Sequence, residues 1–412
     1  MKSMKLVLLT VCIWTCTGMA FASPFVFIDE AQIEKVRTRL HSDEAPAAMK
    51  QSYKHVLEEA ALALDAGPFS VTDKTMVPPS GDKHDYLSIS PYWWPDESKT
   101  DGLPWIRRDG KTNPVSKTAD TDSKRIGHFT RSVNALAIAY YFSQDQKYAQ
   151  RAIEYLRVWF LDPKTRMNPN VNFAQGVPGV ASGRRSGLID SRSLVDRLLD
   201  AMAMLSKSPI WTKEIEMGIH AWYRDYLTWL LTHELPTDEA TAPNNHGSWH
   251  DLQVAGISFL VGKKDVTKQM AEKGKMRLDT QFEADGTQPH ELARTRSYHY
   301  SYFNLDALSM IAQLGTQVDV NLWGYSSPKG VSLKTAIKKM GDYHDPEKEW
   351  PWRHKSPRSV VRMVPIYRKA ALAYDDKALM KLSKDVDFSV YNVNNLAEIW
   401  AERDVQLLWP AE

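Results

Sequence analysis

FTRSVNALAIAYY, residues 129–141, decides the fold class. Phe129, Val133, Leu136, Ala137, Tyr140 and Tyr141 fall at offsets 0, 4, 7, 8, 11 and 12. That spacing puts all six on one face of a helix and predicts a buried stripe. The same period recurs along the chain. Ala149, Ala152, Ile153, Leu156 and Phe160 repeat it, as do Leu194, Leu198, Met202 and Leu205. Ile215, Ile219, Trp222, Tyr226, Trp229 and Leu230 form another stripe. Further helices are predicted over about 250–262, 264–280, 301–314, 331–341, 359–375 and 376–384. Alternating strands are few, and the short run Leu87-Ser88-Ile89 sits among turn residues. Many paired helices with short links predict an all-α architecture, an (α/α) toroid or a solenoid, with the connecting loops at one end building the site.

The N-terminus reads differently. Lys2 and Lys5 precede an apolar run from Leu6 to Cys16, and Ala20-Phe21-Ala22 fits a small-x-small cleavage site. Residues 1–22 therefore read as a bacterial secretory signal, which predicts a periplasmic or secreted protein and one domain over 23–412. Cleavage removes Cys12 and Cys16, the only cysteines, so a disulfide or a thiolate metal site is excluded from the mature chain. It also removes two lysines, so 52 basic residues become 50, against 50 acidic ones. No overall basic field is left for nucleic acid, and an acidic partner must be recognised locally. No later apolar run reaches membrane-spanning length. The 14 tryptophans and 17 tyrosines are enough to fill a core and also to line a carbohydrate or apolar cleft.

Two regions break the helical pattern. Residues 66–120 carry Pro78, Pro79, Pro91, Pro95, Pro104 and Pro114, yet YLSISPYWWPDESKTDGLPW (86–105) holds five aromatics, which argues against disorder. Residues 162–187 contain Asn168-Pro169-Asn170 and Gly183-Arg184-Arg185.

Two clusters carry chemistry. In APNNHGSWHD (242–251), Pro243 and Gly247 frame a turn before an apolar helix, which places Asn244, Asn245 and His246 at a helix N-terminus. Amide side chains and free backbone N–H groups there can receive an anion, although the bland alternative is that Asn245 or Ser248 is simply an N-cap. In ELARTRSYHYSYFN (291–304), two arginines and a histidine stand among three tyrosines. Read as helix, Arg296 shares a face with Tyr300, and Arg294 with Tyr298. The apolar helix is expected to begin only at Phe303. A phenol titrates near about 10, and a flanking guanidinium lowers it. The bland alternative is arginine–tyrosine stacking on a solvated face. His246 and His250 are spaced for a metal but lack the glutamate of the zinc-protease pattern and a third ligand. No Gly-x-Ser-x-Gly elbow occurs. Paired carboxylates for glycoside hydrolysis stay open, with Asp85, Asp96, Asp251 and Glu291 as candidates.

KHDYLSISPYWWPD (83–96), GLPWIRRDGKTNP (102–114), WFLDPKTRMNPNVNFAQ (159–175), NNHGSWHDLQVAG (244–256) and PHELARTRSYHYSYFNLDAL (289–308) together resemble the alginate lyase superfamily of bacterial polysaccharide lyases. The resemblance implies an (α/α) toroid with a deep groove. It also implies metal-independent, cofactor-free β-elimination on an acidic polysaccharide. Carried over, the catalytic groups are Asn245, His246, Arg294 and Tyr300, with Arg296 a rival to Arg294. His250 stands where relatives often have an aromatic residue. In this chemistry Asn245, His246 and Arg294 withdraw charge from the C5 carboxylate, which stabilises the enolate-like intermediate. Tyr300 takes the C5 proton and protonates the C4 oxygen when both lie on one side of the ring, as in mannuronate or glucuronate. On guluronate His246 becomes the base and Tyr300 the acid. Tyr92, Trp93 and Trp94 are candidates to stack on sugars. Lys83, His84, Arg184, Arg185 and Arg353 are candidates to hold carboxylates. Trp249, Arg296 and His299, inside the same motifs, are further candidates for sugar contact. Alternatives are a glucuronan or other polyuronate lyase, a non-catalytic polysaccharide-binding protein and a glycoside hydrolase.

Overall fold

The computed structural model describes residues 24–355, 357–386 and 396–411. The segment read as a signal, with both cysteines, lies outside the described residues. Among those residues the chain is built from helices: α1 (Glu30–Leu40), α2 (Ala47–Leu64), α3 (Ser123–Ser143), α4 (Gln146–Leu156), α5 (Ser193–Asp196) and α6 (Leu198–Leu205) come first. Next come α7 (Lys213–Thr232), α8 (Glu234–Glu239), α9 (Asn245–Leu260), α10 (Lys264–Gln281), α11 (Pro289–Leu292) and α12 (Ser297–Thr316). The chain continues through α13 (Leu333–Gly341), α14 (Val364–Tyr374), α15 (Lys377–Leu382) and α16 (Leu396–Arg403).

Contacts between them run round a ring. α3 packs on α6, α6 on α9, α9 on α12 and α12 on α14. The turn Asp404–Leu408 after α16 touches both α14 and α2, and α2 returns to α3. α4, α7, α10 and α13 pack outside against α3, α9, α9 and α12. The result is an α/α toroid. Its inner helix α9 is buried at every position from Gly247 to Leu260, so it has no solvent-facing side. Outer helices keep the one-sided stripe seen in the sequence.

Much of the aromatic content is core. Phe129 stacks on Trp159 at 4.4 Å. Phe160, Trp222, Tyr226 and Trp229 continue as a ladder with centroid spacings of 4.8, 5.2 and 5.5 Å. Each such burial stabilises the fold by about 1.5–3 kcal/mol.

Helix boundaries shift from the sequence reading in two informative places. α9 starts at Asn245 rather than near 250, because the Asn244 side chain accepts from the His246 N–H and caps it. α12 starts at Ser297 rather than Phe303, so Tyr298, Tyr300 and Tyr302 all ride on it. Over 359–375 the helix proper begins at Val364, after a tight turn at Val360–Met363.

The two irregular regions meet each other. β1 (Leu87–Ile89) pairs in parallel with β4 (Phe173–Gly176). β2 (Trp93–Trp94) and β3 (Ile106–Arg107) form a short antiparallel ribbon. Asn168 donates to Asp85 at 2.9 Å and to Asp82 at 3.0 Å. Lys74 and Asp122, both without exposed side-chain surface, pair at 3.0 Å. The Lys74 ammonium also donates to the carbonyls of Val71 and Lys83, at 2.6 and 2.7 Å, while Asp122 accepts from the Leu87 N–H. This pair ties the 71–87 segment to the start of α3. Lys74→Met removes one of the two cations on buried Asp122, since Arg125 still pairs with it at 2.8 Å, so denaturant unfolding is expected to show a loss of about 1–3 kcal/mol. A loss under about 1 kcal/mol would show that the pair does not anchor the segment.

Candidate active site

The N-terminus of α9 and the α11–α12 turn stand together. Asn245 is 1 % exposed, and both its backbone N–H and its amide donate to buried Glu291, at 2.6 and 2.7 Å. This fixes the amide, while its Oδ1 has no hydrogen-bond partner among the described residues. His246 keeps 20 % of its side chain exposed and bonds through Nδ1 to buried Glu239. Arg185 reaches the other oxygen of Glu239 and also Asp238. Glu239 is held below its usual range: burial acts to raise it, and His246 and Arg185 outweigh burial. Gly247 is required here, because a Cβ would lie 2.3 Å from the Ala242 carbonyl and 2.4 Å from the Arg277 guanidinium.

Arg294 sits in the turn before α12, not on it. Arg296 caps the helix in a non-helical conformation and bridges through its backbone to His354. The expected helical faces, Arg296 with Tyr300 and Arg294 with Tyr298, therefore do not form. Arg294 instead folds over Tyr300. Its guanidinium lies 3.8 Å from the ring centroid and donates to the phenolic oxygen at 2.9 Å. The same nitrogen donates to Asp109 at 3.0 Å, and Thr295 donates to the other Asp109 oxygen at 2.9 Å. Gly110, at φ +71°, lets the turn at Asp109 approach: a Cβ would meet Thr295 Oγ1 at 2.3 Å. Burial would raise the Asp109 carboxyl, but Arg294, Thr295 and Arg107 hold it down at about 2.

Tyr300 is 7 % exposed and donates to the Tyr92 hydroxyl at 3.2 Å. The expected depression of its pKa is corrected here. Burial and Tyr92 raise it above the ordinary phenol value, and Arg294 opposes them without prevailing. Among the described residues the Tyr298 hydroxyl has no hydrogen-bond partner, Arg294 included. Tyr298 is buried against Trp350 at 5.1 Å, with Arg358 over its ring.

The remaining candidates separate. Tyr92 reaches the cluster through its hydroxyl rather than as a bare stacking face. Trp93 and Trp94 are half-buried on the ribbon, with Arg184 over Trp93 at 5.3 Å and Lys111 over Trp94 at 4.7 Å. Arg185 is spent on Glu239, so its place is behind His246. Trp249 is 1 % exposed, with its indole N–H donating to the Phe303 carbonyl, which makes it core rather than a sugar platform. His299 is held by the Tyr302 hydroxyl at 2.7 Å, on a different face of α12 from Tyr300. His84 bonds the Arg166 carbonyl, while Lys83 and Arg353 are exposed and contact none of the cluster. His250 is buried and bonded to Asp251, which Arg277 and Lys273 also grip at 2.8 Å. The two histidines of the motif thus serve different carboxylates. Among the described residues no group of three metal-ligating side chains gathers. The four carboxylates considered for hydrolysis also divide: Glu291 holds Asn245, Asp251 holds Arg277, Asp85 holds Asn168 and Asp96 holds Ser98.

Asp109 and Glu239 are the positioning groups that sequence reasoning missed. The Asp109-Gly110 turn signal lay in a quoted motif, but nothing local links it to Arg294, 185 positions away.

Glu291, on α11, ties Asn245 to the segment that carries Arg294 and Tyr300. A family model described as alginate lyase matches residues 70–350, more than half of the chain. A search of curated proteins finds no match. An alginate lyase from Bacteroides ovatus is 32 % identical in a structural match that covers 95 % of this chain and 100 % of that one, with a TM-score of 0.86. Alginate lyase A1-III from Sphingomonas species A1 shares the fold at 15 % identity, with a TM-score of 0.56 over 87 % of this chain and 92 % of its own. A histidine-to-alanine variant of A1-III complexed with tetrasaccharide gives the same identity and TM-score, over 87 % and 91 % of the two chains. The matched span carries Asn245, His246, Arg294 and Tyr300 on the α/α toroid, and the chain belongs to the alginate lyase family as a polysaccharide lyase.

Proposed function

We propose that the chain is a secreted lyase, a single catalytic domain over 23–412, that cleaves a mannuronate-containing polyuronate, alginate, by β-elimination. The observation that carries the reading is the Arg294–Tyr300 contact, 2.9 Å from guanidinium to phenolic oxygen. Asn245, His246 and Arg294 neutralise the C5 carboxylate and so stabilise the charge that develops when the C5 proton leaves. Glu291 and Glu239 hold the first two of these donors in place before substrate arrives. Tyr300, as phenolate, takes the C5 proton. It then returns a proton to the C4 oxygen as the glycosidic bond breaks, leaving a 4,5-unsaturated uronate end.

Burial keeps the Tyr300 phenol protonated in the free protein. Ionisation replaces its donated bond to Tyr92 with an accepted one, and Arg294 then faces an anion. A relative of the same fold has been captured with a tetrasaccharide, which supports a groove for several sugar units. The half-buried Trp93 and Trp94 and the cations Arg184 and Lys111 on their rings suit such a chain.

The test uses polymannuronate, polyguluronate, glucuronan and a neutral glycan, each with chelator present, followed by ultraviolet absorbance of the new double bond. Absorbance is expected to rise with polymannuronate and to stay flat with the neutral glycan. A flat trace with every polyuronate sinks the reading. A faster rise with glucuronan moves the assignment to that polymer.

A further inference from the structure

The ring of helices encloses a cavity of about 290 Å³. One wall is the face of α12 that carries His299, Tyr302, Phe303, Asp306, Met310 and Gln313. At about 1.5 Å per residue, that wall runs about 21 Å along the helix. Facing it are Arg192, Arg197, Arg362, Lys369, Arg403 and Trp400. None of these belongs to the group around Tyr300.

The charges in this cavity are not all spent. Lys369 pairs with Asp306 at 3.2 Å, and Arg403 with Asp404 at 2.9 Å. Asp200 uses its carboxylate on the backbone N–H groups of Val26, Phe27 and Ile28. Three arginines differ. Among the described residues Arg192 donates only to the Ile189 carbonyl, and Arg197 forms a long ion pair with Asp196, 3.9 Å, without a hydrogen bond. The Arg362 guanidinium makes no hydrogen bond or ion pair among the described residues. All three lie over rings: Arg197 and Arg362 are 3.9 and 5.9 Å from the Trp400 centroid, and Arg192 is 5.4 Å from that of Phe303.

Guanidinium groups with idle N–H donors beside flat rings match a carboxylate carried on a sugar. The volume sets the size of the ligand. It lies at the floor of small-ligand pockets, which span about 300–1,000 Å³, and so holds one or two sugar units rather than a polymer. The field agrees: His299 is pushed down to about 3, first by burial and then by Arg296, Arg362 and Arg192.

We propose that this cavity is a second binding site, distinct from the Tyr300 cluster, for a single uronate sugar, with the carboxylate on Arg362, Arg197 and Arg192 and the ring against Trp400 and Phe303. The sugar's identity rests on the polyuronate reading above, while the anion chemistry does not.

Calorimetric titration of the mature chain tests it, with glucuronate, glucose and sulfate as probes. Glucuronate is expected to bind one per chain, and glucose and sulfate at least about tenfold more weakly. Arg362→Gln is expected to weaken glucuronate about tenfold or more, because a charge-assisted bond is lost. Arg362→Lys, which keeps the charge, recovers part of that loss and guards against misfolding as the cause. Arg294→Ala leaves this binding unchanged. The proposal is overturned if glucuronate does not bind, if Arg362→Gln binds it as wild type does, or if Arg294→Ala abolishes it. Sulfate binding as tightly as glucuronate also overturns it, as a plain anion site. Glucuronate binding in a protein that cleaves no polyuronate leaves this site standing and removes only the lyase substrate.

Discussion

Tyr300→Phe is expected to lower turnover on polymannuronate by at least about 10³-fold while leaving oligosaccharide affinity within a few-fold. The substitution keeps the ring under the Arg294 guanidinium, 3.8 Å from its centroid, and removes only the hydroxyl. Packing and fold therefore survive. What disappears is the one atom assigned both to accept the C5 proton and to deliver a proton to the C4 oxygen. General acid–base groups contribute about 10²–10⁴-fold each, and here one group serves both steps. Steady-state kinetics with binding measured separately decides it. A variant that keeps wild-type turnover would transfer the role to a neighbour. Tyr302, tied to His299, and Tyr298, buried against Trp350, are worse placed.

The second large effect is expected at Arg294. Arg294→Ala removes the donor on the Tyr300 oxygen and a donor to the substrate carboxylate together, so kcat should fall by about 10²–10³-fold. A pH profile separates the two roles. Arg294 opposes the upward push of burial on Tyr300, so its removal raises the phenol's pKa further. Less phenolate is then present at any given pH, and the rising limb of the rate profile moves to higher pH. Arg296→Ala is the control. That residue caps α12 and bridges to His354, away from the Tyr300 oxygen, and its loss should leave the profile in place. Equal damage from both variants, with no movement of either limb, would reduce Arg294 to a structural role.

The two arginines show where sequence reading stops. Two positions apart in one motif, they are told apart only by a turn. Arg296 leaves the helical region, so Arg294 lies outside α12 and can fold back over Tyr300. Helical spacing, applied across that turn, pairs the wrong residues. The Asn245–His246 pair was easier to read, because a capped helix start is a local event: Asn244 sits at the cap and its own side chain accepts from the next turn.

Trp249 illustrates the opposite error. Its place in a catalytic motif suggested sugar contact, yet α9 is packed between α6 and α12 in the inner ring, with α7 and α10 outside it, and is buried on every side. Nothing local distinguishes an indole under a groove from one in a core.

The helical stripes, the helix N-terminus at the Asn-His motif and the absence of cysteine after residue 22 were determined by the sequence alone. Each depends on side chains within a few positions of one another, where the 3.6-residue period or a turn fixes geometry. Tertiary structure decided which arginine meets Tyr300, which carboxylates hold Asn245 and His246, and how strongly the phenol keeps its proton. Those outcomes depend on contacts across long separations, such as Asp109 with Arg294, and on burial, which only the closed ring of helices creates.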